Sequence, residues 1–372
     1  MTTAVDTDFS KTIRRIAGPS AKRVETFDVA IIGSSVCGAA LAAILSEAGM
    51  STAVITDRHG SKRRGSETAF CTSELPGCPP VCGAEQSAGA FFKIVSSGGK
   101  TLNVLKNGNP LSFFSIPHLE THFTVRAVHA GARVYKGPAV TLCQESGCWV
   151  INVSDTAIKS RIVVGAGGWD SVVRKAVDAP FNSKDLNFAV GCIARIDEEN
   201  GVKINLFENG RFCRIIKYGS RANAAVFGPA ADVITPRLIF EKIMKSELAA
   251  ISSVLSYWTA FVPSPASAQF FSLPSAGKNW ILLGEAAGHV HPVNGESLRY
   301  ALAGAQFAAQ AIECGEPRVF HSLWRDDYGR ELEEAVKLKN KMNKWRRSAE
   351  LVFSAASKSS YIKNFISSRF FS

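Results

Sequence analysis

Residues 27–57 leave a narrow choice of folds. Phe27 to Ile32 (FDVAII) is a short apolar run of strand type, and it passes at once into GSSVCGAALAAILSEAG, where small and apolar residues recur at helical spacing until Gly49. Thr52 to Thr56 (TAVIT) is again strand-like and ends at Asp57. Strand, helix and strand in this order make a βαβ unit, which belongs to a parallel sheet. At its turn stands Gly33-Ser34-Ser35-Val36-Cys37-Gly38, a GxGxxG variant with Ser35 in place of the middle glycine. Gly33 permits the tight turn, Gly38 lets helix and strand pack closely, and Ser35 is small enough to allow near approach of a ligand. The helix N-terminus offers amides and a positive dipole end to a pyrophosphate. Asp57 lies close to the offset of about 20 residues at which an acidic side chain receives adenosine ribose hydroxyls. The pattern points to dinucleotide binding, with a purely structural βαβ turn as the plainer alternative.

Two later segments repeat the theme. Residues 162–174, IVVGAGGWDSVVR, read as a strand breaking into a glycine turn and a helix start. Residues 280–312, WILLGEAAGHVHPVNGESLRYALAGAQFAAQAI, read as strand, turn, loop and a long helix of small residues. With this recurrence the chain resembles the FAD-dependent monooxygenase superfamily with the p-hydroxybenzoate hydroxylase fold, which also contains geranylgeranyl reductases and tryptophan halogenases. The family's GxGxxG, GADGxxSxVR and GDAAGxxxPxxGxG stand here as Gly33 to Gly38, Gly165 to Arg174, and Gly284-Glu285-Ala286-Ala287-Gly288 through Pro292 to Gly295. Leu119, Glu120, Phe123, Ala127 and Gly131 fall on a further helix of the family's cofactor domain.

The resemblance implies FAD as cofactor, with Gly33, Ser35, Gly38, Asp57, Val140, Gly165, Gly284, Glu285, Gly288, Pro292, Gly295, Glu296 and Ser297 as its contacts. It implies an α/β fold: a Rossmann-like FAD-binding domain in three pieces (27–82, 116–185 and 276–318) and a mainly antiparallel substrate domain (83–115 and 186–275). An N-terminal arm (1–26) and a C-terminal helical region (319–372) flank them. Alternating runs such as FAVGCIARI and CRIIKY suit a sheet that roofs the flavin. A helix starting near Gly295 to Ser297 aims its dipole at the flavin pyrimidine edge, where negative charge develops on reduction.

Several positions depart from the family. Gly167 replaces the Asp of its DG motif, which puts a standard NAD(P)H reduction cycle in doubt, and Ile116 stands where a flavin-contacting Arg is often found. Glu285 replaces an Asp on the ribityl chain, keeping the acceptor on a longer arm, and Ser297 replaces the last glycine of GxG. Trp258, in SYWTAFVPSPA, does not match the halogenase WxWxIP stretch. Phe212 to Gly228 keeps Asn223 and Gly228 of a geranylgeranyl reductase segment without its Trp and Pro. A monooxygenase acting on a small aromatic or protein-borne substrate is the expectation. The alternatives are a flavoprotein that modifies a partner protein during tryptophylquinone-type cofactor maturation, and a reductase of an unsaturated lipid. His291 is the candidate acid or base in GHVHP, against a histidine satisfied by backbone groups; His289 reads as the latter.

Composition narrows the rest. The 372 residues are 46% hydrophobic and 20% charged, an ordinary globular balance. No apolar run approaches the roughly 20 residues of a membrane span, and the opening stretch lacks the apolar centre of a signal peptide, so a cytoplasmic protein is expected. The net charge of +11 is partly local, with Lys337, Lys339, Lys341, Lys344, Arg346 and Arg347 crowding one stretch. That stretch reads as a solvated helix face or as a dock for an acidic protein. No nucleic-acid module is visible. Cys71, Cys78 and Cys82 share a Gly- and Pro-rich loop whose spacing fits neither a zinc nor an iron–sulfur site, so no metal is expected. Tyr361, Ile362, Phe365 and Ile366 recur at helical spacing and predict a short second helix in the tail, which is expected to pack internally.

Overall fold

In the computed structural model, the described residues are 23–56, 68–71, 85–87, 91–103, 111–137, 139–197, 199–246, 251–344, 350 and 353–356. The chain is mixed α/β, built on two seven-stranded sheets with a three-stranded sheet besides. In the first sheet, strand Arg23–Ile32 runs parallel to both Thr52–Thr56 and Thr156–Gly165. Arg133–Lys136 continues the parallel set at one edge. Strand Thr156–Gly165 divides its other side between two partners. Its first half pairs antiparallel with Cys148–Val153, which pairs in turn with Ala139–Glu145, and its last three residues pair parallel with Trp280–Leu282.

Val29, Ala30 and Ile31 are fully buried in succession, as expected of a parallel strand covered on both faces. One cover is helix Val36–Glu47, whose run of Ala and Gly keeps nearly every residue buried and lets it lie close to the sheet. Helix Leu298–Glu313 packs beside it with the same small-residue face. Helix Ile116–His129 adds Leu119, Phe123 and Ala127 to this core.

The second sheet runs in the order Ile251–Pro263, Leu186–Ile196, Arg221–Pro229, Phe212–Tyr218, Gly201–Leu206, Phe91–Val95, Thr101–Asn103. All its pairings are antiparallel except the one between Gly201–Leu206 and Phe91–Val95. Its strands therefore come from residues 91–103 and 186–263, and those of the first sheet from 23–56, 133–165 and 280–282. Helices Val319–Trp324 and Arg330–Lys344 follow the second cover helix. Beyond them Phe353 and Ala356 are buried against Phe92, Ile94 and Leu102 of the second sheet. The carboxylate of Glu350 accepts from Ser96 Oγ, Ser97 Oγ and Gly98 N, and Lys100 Nζ donates to its carbonyl. This part of the tail packs internally. The helix expected around 361–366 lies outside the described residues. Among them, no helix is long and apolar enough to cross a membrane.

Candidate functional site

Three glycine turns, remote in sequence, meet at the carboxyl ends of the first sheet's strands. Gly33 follows strand Arg23–Ile32 with φ of 114°, a conformation that glycine adopts without strain. A Cβ there would strike the backbone of Ala166 and Gly167, and one at Gly38 would strike Gly33 O and lie 2.9 Å from Ala166 Cβ. The first and second turns are thus in direct backbone contact. Ser35 Oγ donates to Ala166 O at 2.8 Å, and Ala166 N donates to Ile32 O at 2.8 Å. The first helical hydrogen bond here is Ala39 N to Ser35 O, so the amides of the opening turn keep no intrahelical partner. Ser35 makes no side-chain cap to them.

The third turn closes the cradle. Gly284 has φ of 55°, and a Cβ on it would lie 3.0 Å from Cys37 Sγ in the first turn of helix Val36–Glu47. Burial pushes the Cys37 thiol up to about 11, with the Glu285 carboxylate adding to the rise. Glu285 also faces the second turn, since a Cβ on Gly168 would lie 3.7 Å from its Oε2. Arg174, buried at the end of that turn, donates to Ala286 O at 2.9 Å and stacks on Phe181. Its burial pulls the guanidinium down to about 10, opposed by Asp185.

Residues 288–297 form a tight, buried loop. His291 N donates to Glu296 O and Gly295 N to His291 O, while Glu296 N donates to Asn294 Oδ1. The His291 ring accepts from the amides of Val293 and Asn294 on Nδ1, and the ring is 1% exposed. That face of the imidazole is committed to the loop. His289 stacks on Trp324 with ring centroids 3.5 Å apart, and burial, with His321 and Arg174 nearby, holds it well below the usual histidine range. It is a neutral core histidine.

Arg214 was not singled out by the sequence patterns. From strand Phe212–Tyr218 it reaches across to donate to Gly295 O at 2.8 Å and Asn294 O at 3.3 Å. A Cβ on Gly295 would lie 3.0 Å from Arg214 Nη1, so this glycine makes room for the guanidinium. Burial pulls Arg214 down to about 10, with Glu296 and Glu285 opposing. A cation inside the apolar run FCRIIKY was the available signal. Ser297 precedes helix Leu298–Glu313 as its N-cap residue without a side-chain cap.

Of the expected contacts, Gly33, Ser35, Gly38, Gly165, Gly284, Glu285 and Gly288 line this junction or its immediate supports, and Pro292, Gly295, Glu296 and Ser297 belong to the loop beside it. Val140 lies in edge strand Ala139–Glu145, and Ile116 begins helix Ile116–His129. Asp57, Cys78 and Cys82 lie outside the described residues, and Cys71 ends strand Thr68–Cys71. Among the described residues no group of three or more His, Cys, Asp or Glu is placed to hold a metal ion.

Solved structures share this architecture over most of its length. A geranylgeranyl bacteriochlorophyll reductase-like protein from Thermoplasma acidophilum superposes with a TM-score of 0.73 at 18% identity, over 86% of this chain and 88% of its own. PqsL, a probable FAD-dependent monooxygenase from Pseudomonas aeruginosa, gives 0.64 at 14% identity over 90% and 100%. The chain has the fold of the FAD-dependent monooxygenase superfamily. The peptidyl tryptophan dihydroxylase QhpG, essential for tryptophylquinone cofactor biogenesis, gives 0.61 at 14% identity over 87% and 77%. Among curated proteins the chain is similar to menaquinone reductase of Mycobacterium tuberculosis, 33% identical over 104 residues. That match spans 24% of this chain and about a quarter, 26%, of the relative's length. The chain matches no protein-family model.

Proposed function

We propose that the chain is an FAD-dependent oxidoreductase. One observation carries the reading: the turns at Gly33–Gly38, Gly165–Gly168 and Gly284–Gly288 touch one another, with glycine wherever a Cβ would collide. Such a cradle suits a pyrophosphate, because it presents amides without a helical carbonyl partner at a helix N-terminus, between turns built of small residues. The residues present fit the cofactor: the amides of Val36 to Gly38 would hold the pyrophosphate, Glu285 a sugar or ribityl hydroxyl, and the loop 292–297 the flavin ring. FAD supplies the redox chemistry when bound.

The chain's own residues set the conditions. Helix Leu298–Glu313 directs its positive end at the loop, and Arg214 adds a second positive charge through Gly295 and Asn294. Both favour negative charge beside the loop. His291 fixes the loop's shape, and Pro292 and Val293 give it an apolar edge.

Within this class, insertion of oxygen into an aromatic or protein-borne substrate is our first reading, supported by the likeness to PqsL and to the peptidyl tryptophan dihydroxylase QhpG. A reductase of an unsaturated lipid is the second, supported by the likeness to the geranylgeranyl reductase-like structure and by the local identity with menaquinone reductase. Incubation of purified protein with FAD tests the class: a retained flavin spectrum is expected, and its absence at excess FAD defeats the reading. Anaerobic reduction followed by oxygen then separates the two. Oxygenated product supports the first, and a reduced alkene formed without oxygen supports the second.

A further inference from the structure

A cavity of about 230 Å³ opens beside Pro292 and Val293. Phe212 from the second sheet, Val293 from the loop and Phe353 from the tail give it apolar walls, and Lys339 from helix Arg330–Lys344 gives it a cation. The other charged groups around it are already engaged. Both oxygens of Glu350 are taken by Ser96, Ser97 and Gly98. Arg211 is paired with Asp232, and Glu208 lies exposed at the rim. Lys339 Nζ donates to Ser264 Oγ at 2.6 Å and Ser264 O at 3.3 Å, both neutral acceptors. An ammonium has three N–H groups, so one remains beyond these two bonds. No ion pair among the described residues involves Lys339.

We propose that this cavity binds a small amphiphile, its oxyanion on the Lys339 ammonium and its apolar body against Phe212, Val293 and Phe353. A largely buried cation with no carboxylate in ion-pair contact, Asp185 acting on it only from longer range, gains more from an anion than from a neutral group, because the local dielectric is low. The volume is below the roughly 300–1,000 Å³ of drug-sized pockets, so the body is one ring or a short alkyl chain. The cavity touches the loop that the FAD reading assigns to the flavin. The further identification of this amphiphile with the substrate, or with its acidic end, rests on that reading; binding itself does not. Carboxylate and phosphate ester share the required chemistry.

Burial pulls Lys339 down to about 8, with Asp185 opposing. Asp185, Glu350, Glu208 and the Arg211–Asp232 pair are the other charged groups facing it or lining the cavity. Affinity for the oxyanion should therefore fall as pH rises through the titration of Lys339, since the neutral amine offers no charge.

The test is calorimetric titration of full-length, FAD-loaded protein with hexanoate, hexyl phosphate and hexanol at pH 7. At least one of the two anions is expected to bind at least tenfold tighter than hexanol, and which one does so distinguishes carboxylate from phosphate. Lys339→Met should lose that preference, Lys339→Arg should retain it, and Ser264→Ala should leave it in place. Leu206→Trp fills the cavity from the sheet side and should abolish binding, which keeps the test decisive if Lys339→Met does not fold. Equal binding of hexanol and both anions, no binding of any, undiminished binding by Lys339→Met, or persistence in Leu206→Trp would each overturn the proposal. Failure with an intact flavin spectrum sinks the cavity alone. A protein that takes up no flavin sinks the cofactor reading, and the same titration still scores the cavity.

Discussion

Gly38→Ala is the sharpest probe of the cradle. The added methyl would lie 2.9 Å from Ala166 Cβ, against 3.4 Å or more for ordinary contact, and closer still to Gly33 O. The turns must separate by at least about 0.5 Å (3.4 − 2.9) along the first contact alone. Three hydrogen bonds join them to each other and to the sheet: Ser35 Oγ to Ala166 O, Ala166 N to Ile32 O, and Gly33 N to Ile55 O. Loss of two costs about 2 kcal/mol, and the better helix propensity of alanine returns up to ~1 kcal/mol. The net loss is about 1–2 kcal/mol, a fall of a few degrees in the melting temperature of the apoprotein. FAD should suffer more, because the displaced amides are those that would hold its pyrophosphate; two charge-assisted bonds lost amount to about 3 kcal/mol, or ~100-fold in Kd. Thermal unfolding and quenching of flavin fluorescence measure the two effects. Gly167→Ala is the control, since its Cβ meets nothing nearer than Ile32 O at 3.7 Å. A Gly38→Ala protein that melts and binds FAD like the control would refute the argument.

Phe353→Ala should lower stability by about 3 kcal/mol, because a buried ring leaves a hole in the second sheet's core; unchanged urea unfolding would contradict the internal docking of the tail. Arg214→Met should weaken FAD binding and lower the flavin's reduction potential, read with redox dyes, since it removes a positive charge bonded to the loop at Gly295. His289 has a folded-state pKa below its unfolded value, so the unfolded chain takes up a proton that the folded one refuses as pH falls below about 6.5. Stability should therefore drop from pH 7 to pH 5, and a melting series with His289→Phe should show a shallower fall. Free NADPH should reduce the flavin slowly, on the strength of Gly167; rapid bleaching in stopped flow would count against this.

The cradle was legible because its demands are local. A turn that touches another backbone must be glycine, and Gly33 and Gly38 announce this without reference to the rest of the chain; Gly284 answers instead to its φ of 55° against the Cys37 side chain. The second sheet was legible in the runs FAVGCIARI and CRIIKY, which form strands Leu186–Ile196 and Phe212–Tyr218. Less visible were the contacts that depend on which strand lies over which loop. Arg214 is one cation in an apolar strand, and its tie to Gly295 crosses between segments no local pattern relates. In the sequence Lys339 is one of a basic run, yet it is drawn inward to Ser264 while its neighbours Lys337 and Asn340 are exposed. His291 illustrates a further limit: the motif places it in the loop, but only the fold shows that its Nδ1 accepts from two amides.

The position of Phe353 carries a consequence for how the molecule is made. Synthesis proceeds from the N-terminus, and elements tend to fold as they emerge. The three glycine turns and the loop through Ser297 are all translated before helix Arg330–Lys344 brings Lys339, and Phe353 comes later still. A ribosome-bound chain can therefore assemble the cradle while one wall of the cavity is missing. During that interval the second sheet's Phe92 and Ile94 lack the cover of Phe353, so the emergence of residues 330–356 closes the cavity and seals the sheet in one step.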